Sequence, residues 1–355
     1  MLVTGHTGFK GAWLALWLHR LGAQVRGLAR PPPSRPCLVE AAGVAALVPT
    51  RLGDIRDLGT VQAALTEAAP EIVLHLAAQA LVRPSYGDPV GTFATNVMGT
   101  AHVLEAARLV PGVKAVVVVT SDKCYENREW PWGYRENEAM GGFDPYSASK
   151  GCAELVAASY RRSFLAGQGV AVASARAGNV IGGGDWAEDR LVPDLIRGFA
   201  AGQTVVIRNP ASTRPWQHVL EPLAGYLRLA QCLVEGGPEF ADAWNFGPLP
   251  GSEATAGEVA TALHLRWPDS RVDLGAVPKG PHEANVLKLD SSKAMARLGW
   301  QPQLTLGQAL DWTVAWYRGH AQHATAARSL TFEQILQYSK TLPEESAPSP
   351  GCTHA

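Results

Sequence analysis

An α/β fold built on a parallel sheet is the class this sequence predicts, and three observations predict it. A short apolar stub, Leu2 and Val3, runs into glycines spaced as Gly5, Gly8 and Gly11 and then into a helical pattern. Apolar strand-like runs at residues 25–28, 72–76, 115–119 and 170–175 alternate with helical patterns, as expected for strands covered on both faces by crossover helices. A last such run, at 243–246, follows a long excursion and returns to the sheet. Together these describe a Rossmann-type doubly wound parallel sheet with a smaller, interleaved C-terminal substrate-binding portion.

The first element is strand, turn and helix in that order. Glycine at positions 5, 8 and 11 permits a tight turn, close approach of backbone to a pyrophosphate, and tight packing of the helix whose N-terminal amides favour an anion. Gly5, Thr7, Gly8, Phe9 and Gly11 are therefore candidate cofactor contacts. A glycine-rich turn without a ligand is the plain alternative, and the strand-turn-helix order weighs against it. A first strand of three residues is short for this fold, so it is either trimmed or begins upstream. The run at 25–28 ends in Ala29 and Arg30, where an acidic residue would hold the adenosine ribose. Arg30 either faces a 2′-phosphate or is a solvated arginine ahead of the prolines at 31–33. The next strand ends place Asp54 and Ile55 near the adenine edge, and Leu76, Ala77 and Ala78 as a small-residue floor.

The stretch 120–150 is the richest in chemistry. Ser121, Asp122 and Lys123 follow the apolar run at 115–119, and Tyr146 and Lys150 lie four apart, on one face of a helix. An ammonium beside a phenol favours the phenolate, which can take a proton from an alcohol. Holding a tyrosine ionised near neutrality, when it ordinarily titrates near ~10, takes about 4 kcal/mol. Lysine and a cationic nicotinamide together could supply it. Taken alone, Ser121 to Lys123 could equally be a helix cap or a surface cluster. Cys124 has no histidine partner and reads as packing.

After Ala177 the character changes, with glycines at 182–184 and Pro193, Pro210 and Pro215 interrupting a Trp- and Arg-containing region. Helical spacing resumes at 220–233. The expected division is residues 1–177 plus 218–247 for the dinucleotide-binding domain, 178–217 plus 248–330 for the substrate portion, and 331–355 for a partly disordered tail, polar from Pro343.

Composition bounds the partners. With 355 residues, 46% hydrophobic and 18% charged, the chain can bury a sizeable core. A formal net charge of -1 leaves no basic footprint for nucleic acid or an anionic membrane. Five scattered cysteines without a CxxC imply reduced thiols and a cytoplasmic setting, and no signal peptide or apolar span is visible. His320 and His323 lack a neighbouring carboxylate or cysteine, so no metal site is expected.

The Gly5 to Gly11 loop, the Tyr146 and Lys150 pair and the run at 289–300 resemble the extended short-chain dehydrogenase/reductase family that works on nucleotide sugars, over nearly the whole chain. More narrowly, TGHTGFKG from Thr4, TSDKCYENREW from Thr120, YRENE from Tyr134, GGFDPYSASKGCAE from Gly141, ARAGNVIGGGDWAEDR from Ala175 and RPWQHVLEPL from Arg214 are similar to the 4,6-dehydratases that act on CDP-glucose. Related dTDP-glucose enzymes carry an Asp-Glu pair where this chain has Asp122 and Lys123.

The resemblance implies NAD as a recycled cofactor and a reaction in three stages: oxidation at sugar C4, loss of water across C5 and C6, and reduction at C6. It gives Tyr146, Ser121 and Lys150 to the first stage, and Lys123 and Asp122 to the second as base and acid, in an order the residues leave open. Asn179, Arg190 and Arg214 match family positions near the pyrophosphate and nucleotide, with Trp216 and His218 nearby. Asn96 either holds a water or carbonyl that positions Lys150, or is a buried structural amide. Relatives often pair through two helices each, and the helices near 96–108 and 145–163 are apolar enough for a dimer or tetramer. An epimerase or reductase of the same family would need no acid-base pair, and a non-catalytic dinucleotide-binding regulator could lose the phenol.

Overall fold

The computed structural model describes residues 1–249, 251–275 and 284–343. Seven strands form one parallel sheet: β1 (Leu2–Thr4), β2 (Arg26–Ala29), β3 (Thr50–Leu52), β4 (Ile72–His75), β5 (Ala115–Val119), β6 (Ala171–Ala177) and β7 (Ala243–Phe246). Their order is β7-β6-β5-β4-β1-β2-β3, with every neighbouring pair parallel. The chain moves outward from β1 through β3, then crosses back to β4 on the other side. The carboxyl ends of β1 and β4 therefore diverge, and the crevice they leave is where such folds bind ligands.

Every residue of β5 and β6 is buried, which is why, Arg176 apart, they read as apolar or small-residue runs. β1 is short yet sufficient: each of its three buried residues pairs with β2 on one side and β4 on the other. β3 was not legible as a strand, because all three of its residues are exposed at the sheet edge and carry no alternation.

One face of the sheet is covered by α2 (Leu58–Ala68), α3 (Gly99–Leu109) and α4 (Pro145–Tyr160), through a cluster that includes Val61, Val103, Leu104, Val116 and Val172. The other face packs on α1 (Phe9–Arg20) and on a further helix, Leu220–Glu235. That second cluster runs without a break from Trp13 and Trp17 through Trp244 and Phe246 to Trp300, Trp316 and Tyr338. The substrate portion thus shares its core with the sheet. Three two-stranded pairs stiffen it: Val180–Ile181 with Gln217–His218, Thr213–Arg214 with Ala254–Thr255, and Thr204–Val206 with Arg271–Asp273.

The expected tail from residue 331 is in part a helix. Ala327–Ser339 is helical, and Ile335 and Tyr338 are buried against the main core. The remainder of that expectation, from residue 344 on, lies outside the described residues. Glu221 explains the docking. Its carboxylate, 1% exposed, accepts the Gln303 amide, the Leu304 amide at 2.6 Å and the Tyr338 hydroxyl at 2.6 Å. Burial pushes this carboxyl up to about 7 from its ordinary 4.5, while the hydroxyl and the two amides pull it back.

A carboxyl raised in the folded state binds its proton more tightly there than in the unfolded chain, so its contribution is fully present at low pH and is lost as pH rises through about 7. Glu221→Gln should remove that slope. The wild type minus variant difference in Tm is expected to fall, by on the order of a few degrees, between pH 5 and 8 in parallel melts. A difference that stays flat across that range would contradict the assignment.

Candidate active site

The crevice at the switch point opens into a cleft of about 1510 Å³, larger than one small ligand needs and wide enough for a dinucleotide beside a nucleotide sugar. Its cofactor side begins at the glycine turn. Gly5 holds φ +76°, and a Cβ there would lie 2.6 Å from the Ala77 amide nitrogen, so this position requires glycine on both grounds. A Cβ at Gly11 would lie 2.3 Å from the Gly5 carbonyl oxygen, so α1 can approach the turn closely only without it. Gly8, whose nearest obstacle is 3.4 Å away, lines the cleft at the start of α1. Thr7 fixes the turn through a 2.9 Å bond to the Arg30 carbonyl. Phe9, Asp54, Ile55, Leu76, Ala77 and Ala78 line the same side. Arg30 is 68% exposed and 3.8 Å from the Asp54 carboxylate, which Arg56 also pairs at 2.7 Å. Its solvated reading therefore fits, and a 2′-phosphate would meet Asp54.

The catalytic candidates come from two adjacent elements. β5 delivers Thr120 and Ser121, after which a short turn, Asp122–Cys124, begins with Ser121 as its cap. The Ser121 hydroxyl donates to Asp122 Oδ1 at 2.9 Å and accepts the Lys123 amide at 3.3 Å. Lys123 Nζ lies 3.6 Å from the same Asp122 oxygen. Asp122 is 1% exposed, and its Oδ2 has no hydrogen-bond partner among the described residues. Glycine at 178 keeps the space beside it, since a Cβ there would stand 3.2 Å from Oδ2. Tyr146 and Lys150, one turn apart on α4, are both buried and line the same cleft.

Burial pushes the Tyr146 phenol up to about 12; the Ser121 hydroxyl bonded to it pulls down, Asp122 pushes up and Arg190 pulls down. Ser121 and Arg190 thus ease its ionisation. Lys150 points its Nζ at the Val119 carbonyl, 3.3 Å away, and burial lowers it to about 8 against the opposing charge of Glu154. Beneath them lies a buried network: Glu154 pairs with Arg176 at 2.7 Å and accepts the Ser174 and Thr120 hydroxyls. It ties the end of β5 to α4 one turn beyond Lys150. Cys124 is fully buried, with its thiol raised well above the ordinary value by burial, as packing requires.

On the substrate side the structure brings together Asn179, Arg190, Arg214 and Trp216 as cleft residues. Asn179 Oδ1 is buried and unpartnered among the described residues. Arg190 pairs with Asp185 at 3.0 Å, and Arg214 donates to the carbonyls of Thr213, Ala284 and Asn285. Trp216 is anchored by its Nε1 on the Ala254 carbonyl at 2.9 Å.

Two predicted site residues fall elsewhere. His218 is 0% exposed, edge-on to Trp13 and Trp312, and burial lowers it to about 3, so it is a neutral core histidine. Asn96 does not line the cleft: its amide clamps the Gln79 backbone at 2.8 and 2.9 Å and donates to Ser149 at 2.8 Å, making it a structural amide. Gln79 itself does line the cleft. Lys10 was missed, passed over among Gly5, Thr7, Gly8, Phe9 and Gly11 of its own loop. It lines the cleft 3.5 Å from the Tyr226 hydroxyl, and burial lowers it to about 7, with Lys150 and Arg190 adding and Asp122 opposing. A charge inside an otherwise apolar first helical turn was the available signal.

Fold and cleft together define a dinucleotide-dependent enzyme. Residues 1–246 match the NAD dependent epimerase/dehydratase family, and the chain belongs to it. It is 52% identical over 340 residues to the CDP-glucose 4,6-dehydratase of Salmonella typhimurium, covering 93% of this chain and 95% of that one. It is 32% identical over 335 residues to a dTDP-glucose 4,6-dehydratase of Streptomyces antibioticus, covering 90% and 92%. Among solved structures it is similar to the UDP-glucose 4-epimerase of Thermus thermophilus in complex with NAD, with TM-score 0.78, 27% identity and coverage of 90% and 98%. It is also similar to the dTDP-glucose 4,6-dehydratase of Streptomyces venezuelae with NAD and TYD bound, with TM-score 0.74, 27% identity and coverage of 90% and 97%.

Proposed function

We propose that this chain catalyses the NAD-dependent 4,6-dehydration of CDP-glucose to CDP-4-keto-6-deoxyglucose. The observation that carries the reading is the pair Asp122 and Lys123, 3.6 Å apart and facing the cleft that also holds Tyr146. An epimerase has no use for such a pair. The residues present fit the dinucleotide: a glycine turn that side chains would fill, a small-residue floor at 76–78, and an Asp54 carboxylate that disfavours a 2′-phosphate. When bound there, NAD would supply the hydride acceptor for C4 and the hydride donor for C6 within one turnover.

The side chains divide the remaining work. Tyr146 removes the C4 hydroxyl proton, with Ser121 bonded to the phenol to orient it. The C4 ketone acidifies the C5 hydrogen, which Lys123 takes as a proton. Asp122 hands a proton from Oδ2 to the C6 hydroxyl, which departs as water. Lys123 then returns a proton to C5 as C6 is reduced. Asn179, Arg190 and Arg214 hold the CDP diphosphate, and the buried Glu154 network keeps Thr120 and Lys150 in register.

A homodimer completes the assembly, paired through α3 and α4; the outward-facing Leu109 and Leu155 and the adjoining Met98 and Phe164 support it. The four described cysteines, all free, support a reducing, cytoplasmic setting. Purified protein with CDP-glucose and NAD is expected to yield a 4-keto-6-deoxy sugar nucleotide by NMR, with no net NADH. Clean inversion at C4 would make it an epimerase, and no turnover of any nucleotide sugar would make it a regulator.

A further inference from the structure

At the mouth of the cleft a second charged cluster stands apart from the catalytic groups. Arg208, just beyond the strand Thr204–Val206, donates to Asp189 Oδ1 at 2.7 Å and lies 3.9 Å from Asp194 Oδ2. Arg83, on the short helix Val82–Gly87 at the other wall, approaches the same Asp189 oxygen at 3.8 Å. All three residues line the cleft, and Asp189 holds φ +60°, a left-handed conformation uncommon outside glycine. The Asp189 carboxylate therefore sits between two guanidinium groups drawn from opposite walls of the cleft.

We propose that Arg208 binds the diphosphate of the nucleotide-sugar substrate, and that Asp189 is its counter-ion, displaced as the diphosphate enters. This rests on the reading of the cleft as a nucleotide-sugar site. A guanidinium fork meets phosphate oxygens in two parallel bonds, and a diphosphate brings more charge than one carboxylate, so the exchange favours the ligand. Arg208 leads the loop that runs through Asn209 and Ser212 to Arg214, and those residues line the cleft with it. Arg214 is oriented by the backbone carbonyls it donates to and Arg190 by Asp185, and Arg208, held in the same way by Asp189, adds a third guanidinium to theirs. As a surface pair about one-third exposed, Arg208 and Asp189 would contribute only about 0–1 kcal/mol to stability, too little to account for a strained aspartate by itself.

Calorimetric titration of the full chain with CDP and with UDP tests this. Arg208→Gln should weaken both nucleotides about tenfold, because the arginine addresses phosphates rather than the base, and should raise KM for the sugar nucleotide more than it lowers kcat. Arg208→Lys should restore part of the loss. Asp189→Asn, which removes the competing anion, should tighten both nucleotides about two- to threefold. Opposite signs for the two variants are the expected signature. Equal affinities with similar losses in Tm would make the pair a loop staple and overturn the proposal, as would a wild type that binds neither nucleotide. Turnover of CDP-glucose is scored separately: opposite signs without a 4-keto product would keep Arg208 and sink the reaction, and a product without opposite signs would do the reverse.

Discussion

Replacing Tyr146 by Phe is expected to stop C4 oxidation, lowering turnover of CDP-glucose by about a thousandfold, within the range of about 10²–10⁴ usual for loss of a general base. Its phenol is buried and bonded to Ser121, and removing one hydroxyl leaves the ring in place, so Tm should change little. The size of the effect follows from the electrostatics of the cleft. A phenol pushed up to about 12 is a poor donor of its own proton, and the groups that ease its ionisation are the Ser121 hydroxyl and Arg190. Ser121→Ala should therefore act in the same direction with a smaller loss. The check is reduction of the nicotinamide in a single turnover, read by absorbance against enzyme of matched fold. A Phe variant that still reduced the cofactor at near the wild-type rate would remove Tyr146 from the first step.

Much of this arrangement was legible because it depends on neighbours in the chain. The glycine turn, Ser121 with Asp122 and Lys123 at the end of β5, and the spacing of Tyr146 and Lys150 are local patterns, and each faces the cleft. What escaped depends on long-range packing. His218 follows a motif that points to substrate, yet Trp13 from α1 and Trp312 from a C-terminal helix close over its ring. Asn96 meets Gln79 and Ser149 from two other elements, and neither bond can be read from its own stretch. Helical spacing correctly brought Tyr146 and Lys150 to one cleft, whereas the bond from Lys150 to the Val119 carbonyl, on β5, could not be read from it. β3 shows the converse limit, since an exposed edge strand has no buried face to impose alternation.

Lys123→Met should separate the stages that Tyr146→Phe abolishes together. The methionine keeps an unbranched chain of similar reach and removes the nitrogen, so Tyr146 and Ser121 still meet the C4 hydroxyl and oxidation continues. Without a base at C5 the ketone cannot lose its neighbouring hydrogen. Reduced nicotinamide should accumulate to a fraction of one equivalent per site while release of the 4-keto-6-deoxy product falls by about a hundredfold or more. Solvent deuterium should no longer appear at C5. The geometry favours this partition: Lys123 is one-quarter exposed, whereas Asp122 is buried, bonded to Ser121 and among the charges that act on the Tyr146 phenol. Asp122→Asn should accordingly disturb both stages, because it changes the partner of the hydroxyl that orients the phenol. If Lys123→Met lost oxidation and dehydration in equal measure, the lysine would belong to the first step, and the division of labour between the two neighbours would have to be redrawn.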